Sequence, residues 1–320
     1  MSSPLPITFH PLLMERPWGG RRLETELHIT LPDSKTIGEL WALVDRPEAQ
    51  SIVNNGPFQE RSLHELWSQE RFTIFGSKHL NNTSPRFPLL CKILDAAETL
   101  SLQVHPSATS AVIFNGELKT EFWYFLKTEP DACCYAGFKK GVTREAFETA
   151  LKMGTLEEIL HRIITQEGDS LFIPSGRLHA LGRGNLVIEI QENSDTTYRV
   201  FDWNRRDQEG RARSLHLEEA MASIDFEDEE PSLEAQPSLI TSHCFHSEKW
   251  NLSTARSIST FNDFAVFTCL TGQLTCGDQT FHPGAFFLLP SSSKESILTP
   301  QIPGTTLLCT RLPYYSVLNR

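Results

Sequence analysis

Alternation of apolar and polar positions runs through the first two-thirds of the chain and predicts short β-strands. Residues 99–104, 119–127, 169–173 and 185–192 alternate or are rich in β-branched and aromatic side chains. Two stretches have helical spacing instead. Residues 61–70 put Leu63, Leu66 and Trp67 on one face. Residues 143–162 group Phe147, Ala150 and Leu151, break at Gly154, and resume with Leu156, Ile159 and Leu160. Thr143 is the expected cap of the first half and Thr155 of the second. Nearer the C-terminus, 264–270, 273–276 and 285–289 are apolar runs between Gly and Pro turns, which predicts a sandwich or barrel. Residues 225–238 are acidic, contain Pro231 and Pro237, and do not alternate, so they read as an exposed seam. The expected organisation is a mainly β domain over 1–228 with helical segments, a linker over 229–238, and a smaller β domain over 239–320.

Composition narrows the class. A length of 320 residues suits about two domains. With 39% hydrophobic residues, 20 Phe and 6 Trp, there is ample material for packed cores. A net charge of −11 argues against nucleic acid as the main partner, although a few local cations suffice to hold a small anion. No run approaches the ~20 apolar residues that cross a bilayer, so no membrane span is expected. The start, MSSPLP, lacks a basic stretch followed by an apolar one, so no secretory signal is expected. Seven cysteines without a C-x-x-C pair fit buried thiols in a reducing cytoplasm.

Three segments carry chemistry. In LSLQVHP (100–106), alternation puts Leu100, Leu102 and Val104 on one face and Ser101, Gln103 and His105 on the other. In KTEFWY (119–124), Lys119, Glu121 and Trp123 share a face. The segment GDSLFIPSGRLH (168–179) has the spacing G-x5-P-x-G-x2-H, which resembles the second cupin motif. Gln103-Val-His105 then stands where the first cupin motif has H-x-H, and Glu121 follows. Gln103, His105, Glu121 and His179 make a mixed nitrogen and oxygen donor set, suited to Zn²⁺ or a similar divalent ion.

The resemblance extends further. ERPWGG (15–20), IGELW (37–41), FPLLCKILD (87–95), LSLQVHP (100–106), KTEFWY (119–124), IPSGRLHA (173–180) and IEIQENSDTTYR (188–199) occur in the order of the class I mannose-6-phosphate isomerases of the short bacterial type. The chain resembles that family most strongly before residue 215. The resemblance implies a cupin jelly-roll barrel with helical insertions and a second, smaller cupin-like domain. It implies interconversion of mannose 6-phosphate and fructose 6-phosphate through an enediolate-like state, with a sugar phosphate as the partner. Gln103, His105, Glu121 and His179 fall on the metal ligands, with Zn²⁺ expected and Mn²⁺, Co²⁺ and Fe²⁺ open. Arg199 falls on the active-site arginine, and Lys92, Ser101, Lys119, Glu189 and Asp195 fall on pocket residues. Glu189 is the first candidate for the base, with Lys92 or a metal-bound water as alternatives. Ser101, Lys119 and Asp195 would contact the substrate. Leu40 and Phe122 depart from the pattern, at positions where Ser and Cys are usual. GAFFLLP (284–290) repeats the cupin spacing without a following His, so the second barrel is expected to hold no metal. A monomer is the default. Two rival readings are a metal-dependent oxygenase and a sugar-phosphate binder without turnover.

Overall fold

The computed structural model describes residues 6–207, 209–235, 239–293 and 295–313. They form two compact units. One gathers the described residues of Met14–Glu39 and Ile93–Gln236; the other gathers those of Met1–Leu13, Leu40–Lys92 and Pro237–Arg320. No described helix is long and apolar enough to cross a membrane.

The unit of Met14–Glu39 and Ile93–Gln236 is a two-sheet sandwich; of the first three strands named below, it contains residues 14–20, 37–39 and 93–96. One sheet has the strand order Leu12–Gly20, Ile37–Leu43, Leu89–Ala96, Asn185–Glu192, Glu121–Thr128, Asp169–Ile173, Glu234–Ala235. The other runs Tyr198–Phe201, Leu102–Val104, His179–Leu181, Cys133–Phe138, Leu160–Ile164. Leu94, Trp123, Phe125, Leu171 and Val187 from the first sheet pack with Cys134, Ala136 and Leu181 from the second, forming the interior layer. The outer face of the second sheet carries Leu102, Val104, Tyr135, Phe138 and Val200. Phe147 and Ala150 of the helix Arg144–Met153 and Ala220 of the helix Leu217–Ser223 cover it.

Of the four strands expected in this half, three are present near their expected bounds, and the one expected over 99–104 is shortened to Leu102–Val104. The helix at 61–70 is Leu63–Gln69, started by a Ser62/Glu65 capping box. The second helix is shorter than its pattern. Thr143 caps Arg144–Met153, and Gly154, at φ 72°, ends it in the left-handed conformation. Thr155 makes no side-chain cap, and residues 160–162 enter the strand Leu160–Ile164 rather than a helix. Pairing with Cys133–Phe138 decides this, because it satisfies backbone groups that a helix would have to satisfy alone.

The seam is not a free linker. Glu229 bridges to Phe138, and Glu234–Ala235 pairs with Asp169 and Ser170. Nor does a cut at 228/239 separate the units. The segment Leu40–Lys92 packs with the C-terminal residues because it offers them an aromatic cluster. Phe75 and Phe87 lie 5.0 and 5.8 Å from Phe264, and Trp67 stacks edge-on against both phenylalanines of the segment. Two sheets make up the rest of this unit, with Trp250, Phe267, Phe281 and Phe287 filling its core.

Candidate active site

The chemistry converges between the two sheets of the larger unit. In the second sheet, Gln103 pairs with Arg199 on one side and His179 on the other, so the three lie in a row. In the facing sheet, Glu121 pairs with Gln191 and Ile173, and Trp123 pairs with Glu189. Gly176, at φ 94°, supports the turn between Ile173 and His179; its carbonyl accepts from the Asp225 N–H. Arg177 fixes that turn with a two-pronged ion pair to Asp228 at 2.7 and 2.8 Å, and it also donates to the Phe172 carbonyl.

His105, Glu121 and His179 are fully buried, and one ligand atom from each lies within 4.8 Å of the others. The His105 Nδ1–H donates to the Thr196 carbonyl at 3.0 Å, and the His179 Nδ1–H donates to the Arg177 carbonyl at 2.9 Å. A carbonyl only accepts, so both Nε2 atoms carry lone pairs, and both face Glu121. His105 Nε2 stands 3.1 Å from Glu121 Oε1, and His179 Nε2 stands 3.6 Å from Oε2. Lys119 Nζ is 2.8 Å from Oε1. Despite these approaches, His105 Nε2 and both Glu121 oxygens make no aligned hydrogen bond. Buried acceptors left in this state are costly in a dry site. Two imidazole lone pairs and a carboxylate facing one point are the donor set of a divalent cation, so the residues fit the metal that the cupin motif implies.

Electrostatics agree with that fit. Burial pushes both imidazoles toward the neutral form, His179 down to about 3; Lys119 adds repulsion at both, and His105 adds it at His179. Burial alone would raise Glu121, but Lys119 and the two imidazoles hold its carboxyl well below the ordinary range. Burial likewise opposes the Lys119 ammonium, yet Glu121, Glu189 and Asp195 keep it protonated.

The other expected residues are placed unevenly. Glu189 is buried, and its Oε1 accepts from Trp123 Nε1 at 2.9 Å. Ser101 Oγ stands 3.4 Å from Gln103 Oε1. Gln103 turns its amide nitrogen to His179 Nε2 at 3.3 Å, so it hydrogen-bonds the donor group and does not aim its oxygen there. Arg199 donates through Nη1 to the Ser214 carbonyl, and its Nε is buried without a hydrogen-bond partner among the described residues. Asp195 is exposed in the loop before Tyr198–Phe201. Lys92 is the last residue of its segment in the other unit. It is buried there, its ammonium 5.2 Å from the Trp41 ring centre. The carbonyls of Thr196 and Arg177, which set both tautomers, had no signal in the sequence because every residue has a carbonyl.

The sequence profile of the type I phosphomannose isomerase catalytic domain matches residues 7–124. The chain is 38% identical to the mannose-6-phosphate isomerase ManA of Bacillus subtilis over 304 residues, spanning 89% of this chain and 93% of that one. The chain belongs to the type I mannose-6-phosphate isomerase family. Another relative, the mannose-6-phosphate isomerase of Streptococcus mutans, is 34% identical over 91% of this chain and 94% of its own. The fold agrees with this family. The crystal structure of the mannose 6-phosphate isomerase from Bacillus subtilis superposes with a TM-score of 0.84 at 30% identity, covering 96% of this chain and all of that one. A putative mannosephosphate isomerase from Archaeoglobus fulgidus shares the fold with a TM-score of 0.79, at 23% identity.

Proposed function

We propose that the protein is a metal-dependent aldose–ketose isomerase that interconverts mannose 6-phosphate and fructose 6-phosphate. The observation that carries this reading is the buried His105–Glu121–His179 group with its unsatisfied acceptors, set beside Glu189, Lys119 and Arg199 in a chain of this family. His105, Glu121 and His179 would hold a divalent ion, zinc in our reading, which would supply Lewis-acid polarisation of the sugar oxygens. The Gln103 amide nitrogen sits on the His179 Nε2 lone pair that the ion would need, and a half-turn of the amide would free that lone pair and present an oxygen as a fourth donor.

The remaining chemistry belongs to side chains. Glu189 takes the proton from C2 of mannose 6-phosphate and returns it to C1, while the O2 proton passes to O1. Trp123 holds one oxygen of that carboxylate. Arg199 stabilises the charge that builds on oxygen in the enediolate, its unpartnered Nε–H being available for that purpose. Lys119, held protonated, binds the phosphate or a sugar hydroxyl, and Ser101 and Asp195 contact the sugar phosphate. Lys92 is the second candidate for the proton carrier. The seven cysteines are free thiols and all but Cys133 are buried, which supports a reducing, cytoplasmic setting. We assign a monomer.

The test is a coupled assay of mannose 6-phosphate conversion with chelator and zinc add-back, on the wild type and on His105→Ala. The expected result is turnover that chelation abolishes, zinc restores and the variant lacks. Turnover that consumes oxygen, or binding without turnover, would replace this reading with one of the two rivals.

A further inference from the structure

The backbone that leads into the Leu102–Val104 strand is irregular, and two side chains from a distant turn hold it. Residues 99–101 lie outside the strand. Strict alternation from Leu100 would put it with Leu102 and Val104. Instead Leu100 joins the interior cluster, while the other two pack under the helices. Where the pattern breaks, Trp203 Nε1 donates to the Leu100 carbonyl at 2.6 Å and Arg205 Nη2 donates to the Thr99 carbonyl at 2.5 Å.

The turn that carries these donors is strained and tightly fixed. Trp203 and Asn204 sit at φ 54° and 56°, a left-handed conformation that is unfavourable for a bulky residue. Asp202, 6% exposed, accepts from Arg213 through two nitrogens and from Arg205 through a third. The Trp203 ring packs against Tyr135 and Phe201 at 5.5 and 5.3 Å. Strain of this kind persists only where the surroundings over-determine it, and it concentrates near functional sites. A cleft of about 410 Å³, lined by Glu98, Thr99, Tyr135, Glu157, Trp203 and Arg205, opens on this clamp.

We propose that Trp203 and Arg205 are positioning residues for the isomerisation: they fix the carbonyls of Thr99 and Leu100 and so aim Ser101 at the substrate. Ser101 is the next residue along the chain, and its hydroxyl stands beside Gln103. The metal group has its own supports in the Thr196 and Arg177 carbonyls, so the clamp acts on substrate affinity and not on the metal. The inference rests on the Ser101 contact proposed above.

Four single variants and one double variant test it, each measured as the metal-loaded full chain. Trp203→Phe keeps a ring and removes the donor; Arg205→Ala removes the second donor; Arg205→Lys keeps one. Trp203→Phe and Arg205→Ala are expected to raise KM for mannose 6-phosphate on the order of five- to tenfold, the size of one lost hydrogen bond. They should leave kcat within about twofold and zinc affinity, measured by chelator competition, unchanged. Arg205→Lys should recover most of the KM. In Trp203→Phe/Ser101→Ala the KM should be no higher than in Ser101→Ala alone, because the clamp acts through Ser101. Wild-type KM in folded Trp203→Phe and Arg205→Ala would reduce the clamp to a structural turn. Loss of zinc affinity, or additive effects in the double variant, would also overturn the proposal. If Trp203→Phe does not fold, the two Arg205 variants decide alone. A wild type without isomerase turnover would defeat the functional reading itself, an outcome separate from all of these.

Discussion

At the scale of the residue, the site depends on which protons are held where. Glu189 has the position of a base, but a carboxylate bonded to Trp123 serves as one only if its second oxygen faces C2. Glu189→Gln keeps the shape and loses the proton acceptor. Its kcat should fall on the order of 10²–10⁴-fold with KM little changed. Washout of deuterium from [2-²H]mannose 6-phosphate should slow in parallel; unchanged washout would move the base to Lys92. His105, Glu121 and His179 were legible from residue type and spacing. Their protonation was not, because burial and the Lys119 charge set it, and both depend on the folded surroundings. Gln103 shows the limit of spacing arguments. It occupies the place of a ligand in the motif, yet its amide nitrogen faces the imidazole.

At the scale of the element, the turn that presents His179 is held from outside itself. Arg177 is tied to Asp228, a residue from the stretch that reads as a solvated seam, and the Arg177 carbonyl orients the His179 ring. Asp228→Ala should therefore weaken zinc binding about tenfold in a chelator competition, the usual scale for loss of a supporting contact. An unchanged zinc affinity would make the ion pair purely a matter of stability. Local signals located the helices better than they fixed their ends. Thr143 and Gly154 bound one helix as their chemistry predicts, and Thr143→Ala should lower the unfolding free energy by about 1 kcal/mol in a urea titration. Beyond Gly154, Leu156, Ile159 and Leu160 fit a helical period, but the chain forms a short 3₁₀ turn and then a strand. Three apolar positions do not distinguish the two periods when a partner strand is available.

At the scale of the whole molecule, the second compact unit has its own buried ionic centre. Asp263 accepts from His79 at 2.9 Å and pairs with Lys78 and Arg311 at 3.3 and 3.2 Å, joining the Leu40–Lys92 segment to the C-terminal strands. Burial alone would raise its carboxyl, but His79, the Phe264 N–H and Arg311 bring it down to about 2, from an ordinary value of 3.8. The unfolded chain therefore binds the extra proton first as the pH drops. Stability from this group is complete above pH 3.8 and disappears as the pH falls through about 2. Asp263→Asn should destabilise the protein at pH 7 by on the order of 3 kcal/mol, with the gap to wild type closing between pH 4 and 2 in urea titrations. A gap that does not narrow would assign the loss to packing.

The sequence by itself determined the mainly β class, the strands that carry the chemistry, the Thr143 cap and the residue types of the buried His105–Glu121–His179 group. These follow from periodicity and residue chemistry that act over a few positions. The absence of a ligand His after GAFFLLP was also readable, and the second unit fills its core with Trp250, Phe267, Phe281 and Phe287. Only the tertiary structure decided that the Leu40–Lys92 segment joins the C-terminal unit, that the acidic seam is pinned through Asp228 and Glu229, and that Trp203 and Arg205 grip the approach to Ser101. Each of these depends on partners far apart in the chain. Ring packing, backbone carbonyls and ion pairs at such separations leave no periodic trace, and their strength comes from a low-dielectric interior that exists only once the chain has folded.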